Sequence, residues 1–225
     1  MLLTIDNVLT ADELAQARAL ISDSRWADGN LTAGTQAATV KRNEQLPEDA
    51  PHLPALRRLV LDALGRNPLF FTAALPLKVL PPFFNRYAGD SNTYGEHVDN
   101  AMRRSGDGYV RADVSATLFL SDPDDYDGGV LTISDTFGRH GVKLAAGSLV
   151  VYPSASVHEV MPVTRGARVA CFMFIQSMVR DPLKRRLLFD MDMALLQLRQ
   201  QLGEAPPVVT LTGTYHNLLR QWADS

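Results

Sequence analysis

The sequence predicts an α+β chain: a β-sandwich or jelly-roll barrel in the middle, with helices on either side. Three observations predict it. Residues 110–120 alternate, with Val110, Ala112, Val114, Ala116, Leu118 and Leu120 at even positions and Arg111, Asp113, Ser115 and Thr117 at odd ones. Such period-two patterning puts one set of side chains on a buried face and the other on a polar face. About eight short apolar or alternating runs fall between 77 and 176, separated by Gly, Pro and Asp, which is the spacing of a sandwich or barrel. Outside that stretch, apolar residues recur at helical intervals.

Taken in order, Thr10 and Glu13 have capping-box spacing, and Leu14, Ala17, Leu20 and Ile21 follow on one helical face. That helix is expected to end near Ser24. A second is expected from about Pro54 to Leu64, with Gly65 and Pro68 ending it. Candidate strands then run over 77–80, 83–87, 110–120, 129–134, 140–144, 148–152, 157–161 and 168–176. Asp181 is a good N-cap and Pro182 a good first helical residue. Leu187, Leu188, Met191, Leu195, Leu198 and Leu202 form a stripe that ends before Gly203, Pro206 and Pro207, and a short helix over about 212–222 closes the chain. The expected division is a helical region over 1–76 packed on the barrel, the barrel over 77–178, and a helical subdomain over 179–225. The stripe is more apolar than a helix pair needs, so it is expected to dock on the barrel or on a second subunit, giving a homo-oligomer.

Composition narrows the function classes. Lys plus Arg is 22 and Asp plus Glu is 25, for a net charge of −3, and 46% of residues are hydrophobic. Disorder is excluded by that hydrophobicity. No basic excess is present to neutralise phosphates, so no nucleic-acid partner is expected. No run is long and apolar enough for a membrane span, and the N-terminus lacks the basic region of a signal peptide. The single cysteine, Cys171, lies in an apolar run and reads as a buried thiol in a reducing, cytoplasmic setting.

The residues that carry chemistry begin with His97 and Asp99. In an extended segment, positions i and i+2 share a side, so imidazole and carboxylate converge. His158 follows the apolar run 148–152. Two histidines and one acid form the set that binds non-haem Fe(II) while leaving positions open. Zinc accepts the same donors. Arg168 leads an otherwise apolar strand, where a guanidinium is costly to bury without an anion; a bound carboxylate would satisfy it in bidentate geometry. Arg165, in the segment 164–167 read as a turn, is expected to be solvated. Tyr87 ends the strand 83–87 and could hydrogen-bond an organic acid near a metal. His52, His140 and His216 are read as structural or solvent-exposed.

The ordered set Tyr87, His97-Val98-Asp99-Asn100, Gly128-Gly129, His158-Glu159-Val160 and Arg168 resembles the Fe(II)- and 2-oxoglutarate-dependent dioxygenases of the prolyl-hydroxylase type. The tail from Tyr215 to Trp222, with Arg185-Arg186 and Leu188-Phe189 upstream, resembles the bacterial PKHD-type hydroxylases, which are associated with iron uptake. The resemblance implies a double-stranded β-helix (jelly roll). It implies His97, Asp99 and His158 as iron ligands, Arg168 on the distal carboxylate of 2-oxoglutarate, and Tyr87 as a cosubstrate contact. Fe(II), 2-oxoglutarate, O2 and L-ascorbate are the implied cofactors and cosubstrates. The implied reaction hydroxylates a C–H bond of a small-molecule or protein substrate. Phe119 stands where animal oxygen-sensing prolyl hydroxylases have a tyrosine, so one cosubstrate hydrogen bond of that group is absent here and prolyl specificity is not implied. The competing classes are an iron- or cosubstrate-binding sensor on the same fold and a zinc hydrolase. The hydrolase needs a general base, and Glu159, next to His158 in a strand, is expected to face away.

Overall fold

The computed structural model describes residues 1–32 and 35–224. The first third holds β1 (Leu3–Ile5), α1 (Ala11–Ser22), β2 (Ala27–Asp28), α2 (Thr35–Val40), β3 (Lys41–Arg42), β4 (Glu44–Gln45), α3 (Leu53–Gly65) and α4 (Pro68–Ala74). The Thr10–Glu13 capping box opens α1 as expected. Helix α4 is a correction. Pro68, expected to end a helix, starts one, because its fixed φ suits the first helical position. Asn67 caps it, its side-chain oxygen accepting from the Phe70 amide at 2.9 Å. The short strands β1 to β4 are a second correction, since two- and three-residue ladders have no period to read. They tie the region 1–76 into the barrel's sheets as well as packing helices on it.

The middle continues with β5 (Pro76–Val79), β6 (Phe83–Tyr87), β7 (Thr93–His97), β8 (Met102–Ser105), β9 (Gly108–Arg111) and β10 (Val114–Phe119). Then come β11 (Tyr126–Gly128), β12 (Leu131–Asp135), β13 (Gly138–Val142), β14 (Leu149–Pro153), β15 (His158–Val160), β16 (Val163–Gly166) and β17 (Arg168–Ser177). The larger sheet runs β1-β14-β10-β17-β6-β4-β2, with β5 along the end of β17. The smaller runs β13-β12-β15-β7-β3. All described pairs are antiparallel, and two curved sheets facing each other make a jelly roll.

The run 110–120 is not one strand. It breaks between Arg111 and Val114, where the Asp113 carboxylate accepts from Arg111 Nε at 2.7 Å and from the Ser177 amide at 2.9 Å. Its odd face is not solvated either. All of β10 is buried, because the barrel turns Ser115 and Thr117 into its interior while Ala116 and Leu118 face α1 and α3. The segment read as a turn before Arg168 is largely strand β16, paired with β11. These strands approach closely. A Cβ at Gly128 would lie 2.0 Å from the Pro162 carbonyl, and one at Gly166 would lie 2.1 Å from that of Asp125, both at φ +71°. Only glycine fits either place.

The chain ends in α5 (Pro182–Leu202) and α6 (Pro206–Trp222). Asp181 caps α5, accepting from the Leu183 amide at 2.8 Å. Pro206 and Pro207 fill the first positions of α6 instead of breaking the chain before it. From the apolar stripe, Leu188, Met191, Leu195 and Leu198 pack with Leu75, Val179, Val208 and Tyr215, so the stripe docks within its own chain. Leu187 and Leu202 lie outside this seam, 59% and 55% exposed. Among the described residues, no helix is long and apolar enough to cross a membrane.

Candidate active site

The smaller sheet brings the two histidines together. β7 and β15 are neighbours, and His97 stands directly opposite His158 in the register. Their rings are 4.2 Å apart between centroids. Asp99 follows two residues beyond the end of β7. Its Oδ2 lies 3.7 Å from His158 Nε2. One potential ligand atom from each of His97, Asp99 and His158 falls within 4.8 Å of the others. Sixty-one positions of sequence separation thus collapse into one donor cluster through a single cross-strand pair.

Each donor is held by a neighbour. His97 Nδ1–H donates to the Gly95 carbonyl at 2.8 Å, and His158 Nδ1–H to that of Ser156 at 3.0 Å. A carbonyl partner takes the Nδ1–H of each ring and leaves Nε2 as the atom that a metal would use. Burial and the neighbouring His158 push the His97 imidazole down to about 3, so it is neutral at ordinary pH. Tyr94 stacks on His97 at 3.5 Å, and Tyr152 meets His158 edge-on at 5.1 Å. Ser115 Oγ–H donates to Asp99 Oδ2 at 2.6 Å, and Ser154 bonds Ser115 at 2.7 Å.

Arg168 lies in the same cavity. It is 1% exposed, at the start of β17 opposite Tyr87 of β6. Its guanidinium carbon is 5.4 Å from the Tyr87 ring and 5.0 Å from the Phe119 ring. Nε and Nη2 are buried without a hydrogen-bond partner, as is the Tyr126 hydroxyl. No carboxylate among the described residues pairs with Arg168. A buried cation in this state carries a large desolvation cost unless an anion completes it. Tyr87 Oη accepts from Asn85 Nδ2 at 3.4 Å. Burial raises the Tyr87, Tyr126 and Tyr152 phenols, so each stays protonated.

The other singled-out residues lie elsewhere. Arg165 is exposed and pairs with Asp127 at 2.8 Å. Glu159 points outward to an ion pair with Arg139. His140 hydrogen-bonds Asp135 at 3.1 Å, and His52 precedes α3. The cavity adds residues that motif reading missed: Ser115, Tyr152, Tyr94, Lys41 and Arg103. Only Ser115 had a signal, its place on the polar face of an alternating strand. Lys41 is buried beside Tyr94, its ammonium donating to the Gly29 carbonyl at 2.7 Å, and burial lowers it to about 8.

This geometry suits a metal and an organic diacid, and the comparisons with known proteins agree. Residues 82–176 match the 2OG-Fe(II) oxygenase superfamily, and residues 183–224 the PKHD-type hydroxylase C-terminal domain. Two solved structures share the fold. A prolyl hydroxylase from Trichoplax adhaerens, in complex with a hypoxia inducible factor peptide fragment, has a TM-score of 0.55 at 17% identity, covering 83% of this chain and 86% of that one. HygX from Streptomyces hygroscopicus, with nickel and 2-oxoglutarate bound, has 0.54 at 16% identity, covering 78% and 82%. The fold is therefore a jelly roll, and its barrel carries the 2OG-Fe(II) oxygenase domain. A PKHD-type hydroxylase of Azoarcus sp. (strain BH72) is 74% identical over the full length of both chains, and one of Nitrosomonas europaea 70%. The chain belongs to the PKHD-type hydroxylases. Membership implies Fe(II), 2-oxoglutarate and O2 as cofactor and cosubstrates.

Proposed function

We propose that His97, Asp99 and His158 hold Fe(II), that Arg168 and Tyr87 hold 2-oxoglutarate, and that the enzyme hydroxylates a C–H bond of a small-molecule or protein substrate. The observation that carries this reading is the Arg168 guanidinium, buried in the cavity that also contains the three donors, with Nε and Nη2 lacking a hydrogen-bond partner among the described residues. A planar fork of N–H donors fits a carboxylate in two parallel bonds. When bound, Fe(II) and 2-oxoglutarate supply the dioxygen chemistry, yielding succinate, CO2 and one oxygen atom in the product.

The chain's own residues do the rest. The Gly95 and Ser156 carbonyls orient the imidazoles, and Ser115 fixes the carboxylate rotamer of Asp99. Two imidazoles and one carboxylate leave a divalent metal with positions open for cosubstrates. Arg168, flanked by Tyr87 and Phe119, sets the position of the diacid and keeps water from its distal end. A zinc hydrolase lacks its base, since Glu159 faces Arg139 on the outside.

The reading extends to a cytoplasmic enzyme serving iron uptake or iron homeostasis, with ascorbate as a reductant. The test is anaerobic calorimetry of Mn(II) and then 2-oxoglutarate into the full chain, followed by succinate release with Fe(II) and O2. Binding without any succinate would favour a sensor, and no binding of either ligand would remove the assignment.

A further inference from the structure

A second arginine stands at the other end of the cavity. Arg103 lies on β8, in the β8–β9 hairpin that begins three residues after Asp99. Its guanidinium carbon sits 3.9 Å from the centre of the Phe174 ring. Phe174 belongs to a cluster with Phe172 and Phe83, with ring centres 5.3 to 6.5 Å apart. Arg103 and Asn100 line the donor cavity and also an adjoining cleft between the hairpin and Phe83, so the two spaces meet there.

Two half-buried cations nearby already have partners, while Arg104 on the opposite face of β8 is exposed. Glu48 holds Arg57 in two hydrogen bonds of 2.9 and 2.7 Å. Asp113 holds Arg111 at 2.7 Å. Among the described residues, Arg103 has no such ion pair or hydrogen bond. Its surroundings are substantially dehydrated: burial depresses its pKa, against the opposing charge of Asp99. Stacking on a phenylalanine face holds the guanidinium plane while leaving its edge N–H groups free.

Arg103 and Arg168 cannot serve one small diacid. Phe174 and Arg168 are six residues apart on β17, on the same side of the strand, which separates them by about 20 Å. Five-carbon 2-oxoglutarate is too short to reach both.

We propose that Arg103 is a specificity-determining residue that binds an oxyanion, carboxylate or phosphate, of the primary substrate, while the substrate's apolar part lies on the half-buried Phe83 and Phe172. The proposal rests on the reading that Arg168 holds the cosubstrate. It makes the substrate an amphipathic anion that enters beside the β8–β9 hairpin.

The test titrates three probes into the full chain, with and without Mn(II) and 2-oxoglutarate: 3-phenylpropionate, 2-phenylethyl phosphate and neutral 3-phenylpropan-1-ol. At least one anion is expected to bind about tenfold or more tightly than the alcohol, in line with the strength of charge-assisted hydrogen bonds. The better of the two anions distinguishes carboxylate from phosphate. Arg103→Met should remove that preference and Arg103→Lys should retain part of it, while 2-oxoglutarate affinity stays within twofold in both. The proposal is overturned if neither anion binds, if the alcohol binds equally well, or if Arg103→Met leaves anion binding unchanged. It also falls if Arg103→Met weakens 2-oxoglutarate as strongly as loss of Arg168 does, which would place Arg103 in the cosubstrate site. Failure of Mn(II) and 2-oxoglutarate to bind the wild-type chain would strike the proposed function instead, and the titration without them still reads the role of Arg103.

Discussion

On the outer face of β10 and β17, Ala116, Leu118, Cys171, Met173 and Ile175 pack against Ala17 and Ile21 of α1 and Leu56 and Val60 of α3. On the inner face of the same two strands stand Ser115, Thr117, Phe119, Arg168, Phe172 and Phe174. Both faces are largely removed from water. The outer face is apolar and complete, while the inner face holds a serine committed to Asp99 and an arginine with unpaired N–H groups. Burial therefore does not separate core from site here. What separates them is whether the buried polar groups find their partners within the chain.

Substitutions on the two faces should therefore fail in different ways. The largest effect is expected from His158→Ala on the smaller sheet. It should abolish Mn(II) binding and succinate formation while the chain still unfolds cooperatively. Wild-type succinate production by this variant would sink the donor assignment.

Leu118→Ala, on the outer face, should cost about 2–5 kcal/mol of stability, the range for truncating a fully buried leucine. Urea melts of the apo chain read this directly. The folded fraction should bind 2-oxoglutarate as the wild type does. A loss of affinity at sites distant from Leu118 would show that the two faces are coupled.

Arg168→Ala should weaken 2-oxoglutarate about ten- to a hundredfold, which is roughly 1.4 kcal/mol per factor of ten. Mn(II) binding should survive, because Arg168 is not among the donors. Arg168→Lys should keep part of the affinity, retaining the charge but losing the fork. An unchanged calorimetric titration would leave the buried guanidinium without a ligand to explain it.

The smallest effect belongs to Arg165→Ala. Arg165 is only three residues from Arg168 but lies on the surface with Asp127. Exposed pairs contribute little, so 2-oxoglutarate affinity should change by less than twofold. A larger loss there than at Arg168 would move the anchor from β17 to β16.

Much was legible in the residues alone. The capping pairs Thr10–Glu13 and Asp181–Pro182 announce their helices because capping is local chemistry, complete within four residues. The strands 83–87 and 168–176 show in their apolar composition. His97, Asp99, His158 and Arg168 stand out because few residue types bind metals or anions, and because an arginine at the head of an apolar strand is anomalous. Glycine, proline and short ladders were harder to read. Pro68 and Pro206 start helices as readily as they end them, and β1 to β4 are stabilised by partners far away in the chain.

Tertiary structure alone decided which polar residues belong to the cavity. Ser115 reaches Asp99 across 16 positions and Ser154 across 39, and no local pattern records such distances. An alternating strand specifies that two faces differ. Whether the polar face meets water or a cavity depends on the opposite sheet, and closing the barrel turned Ser115 and Thr117 inward. Arg103 acquired its significance in the same way: on its own strand it is one of two adjacent arginines, and only the placement of the hairpin against Phe174 puts one beside the donor cluster and leaves the other in solvent. The sequence by itself determined which chemistry the chain can perform, because that depends on residue type and short-range spacing. The fold decided where that chemistry happens and what surrounds it, because those depend on long-range packing.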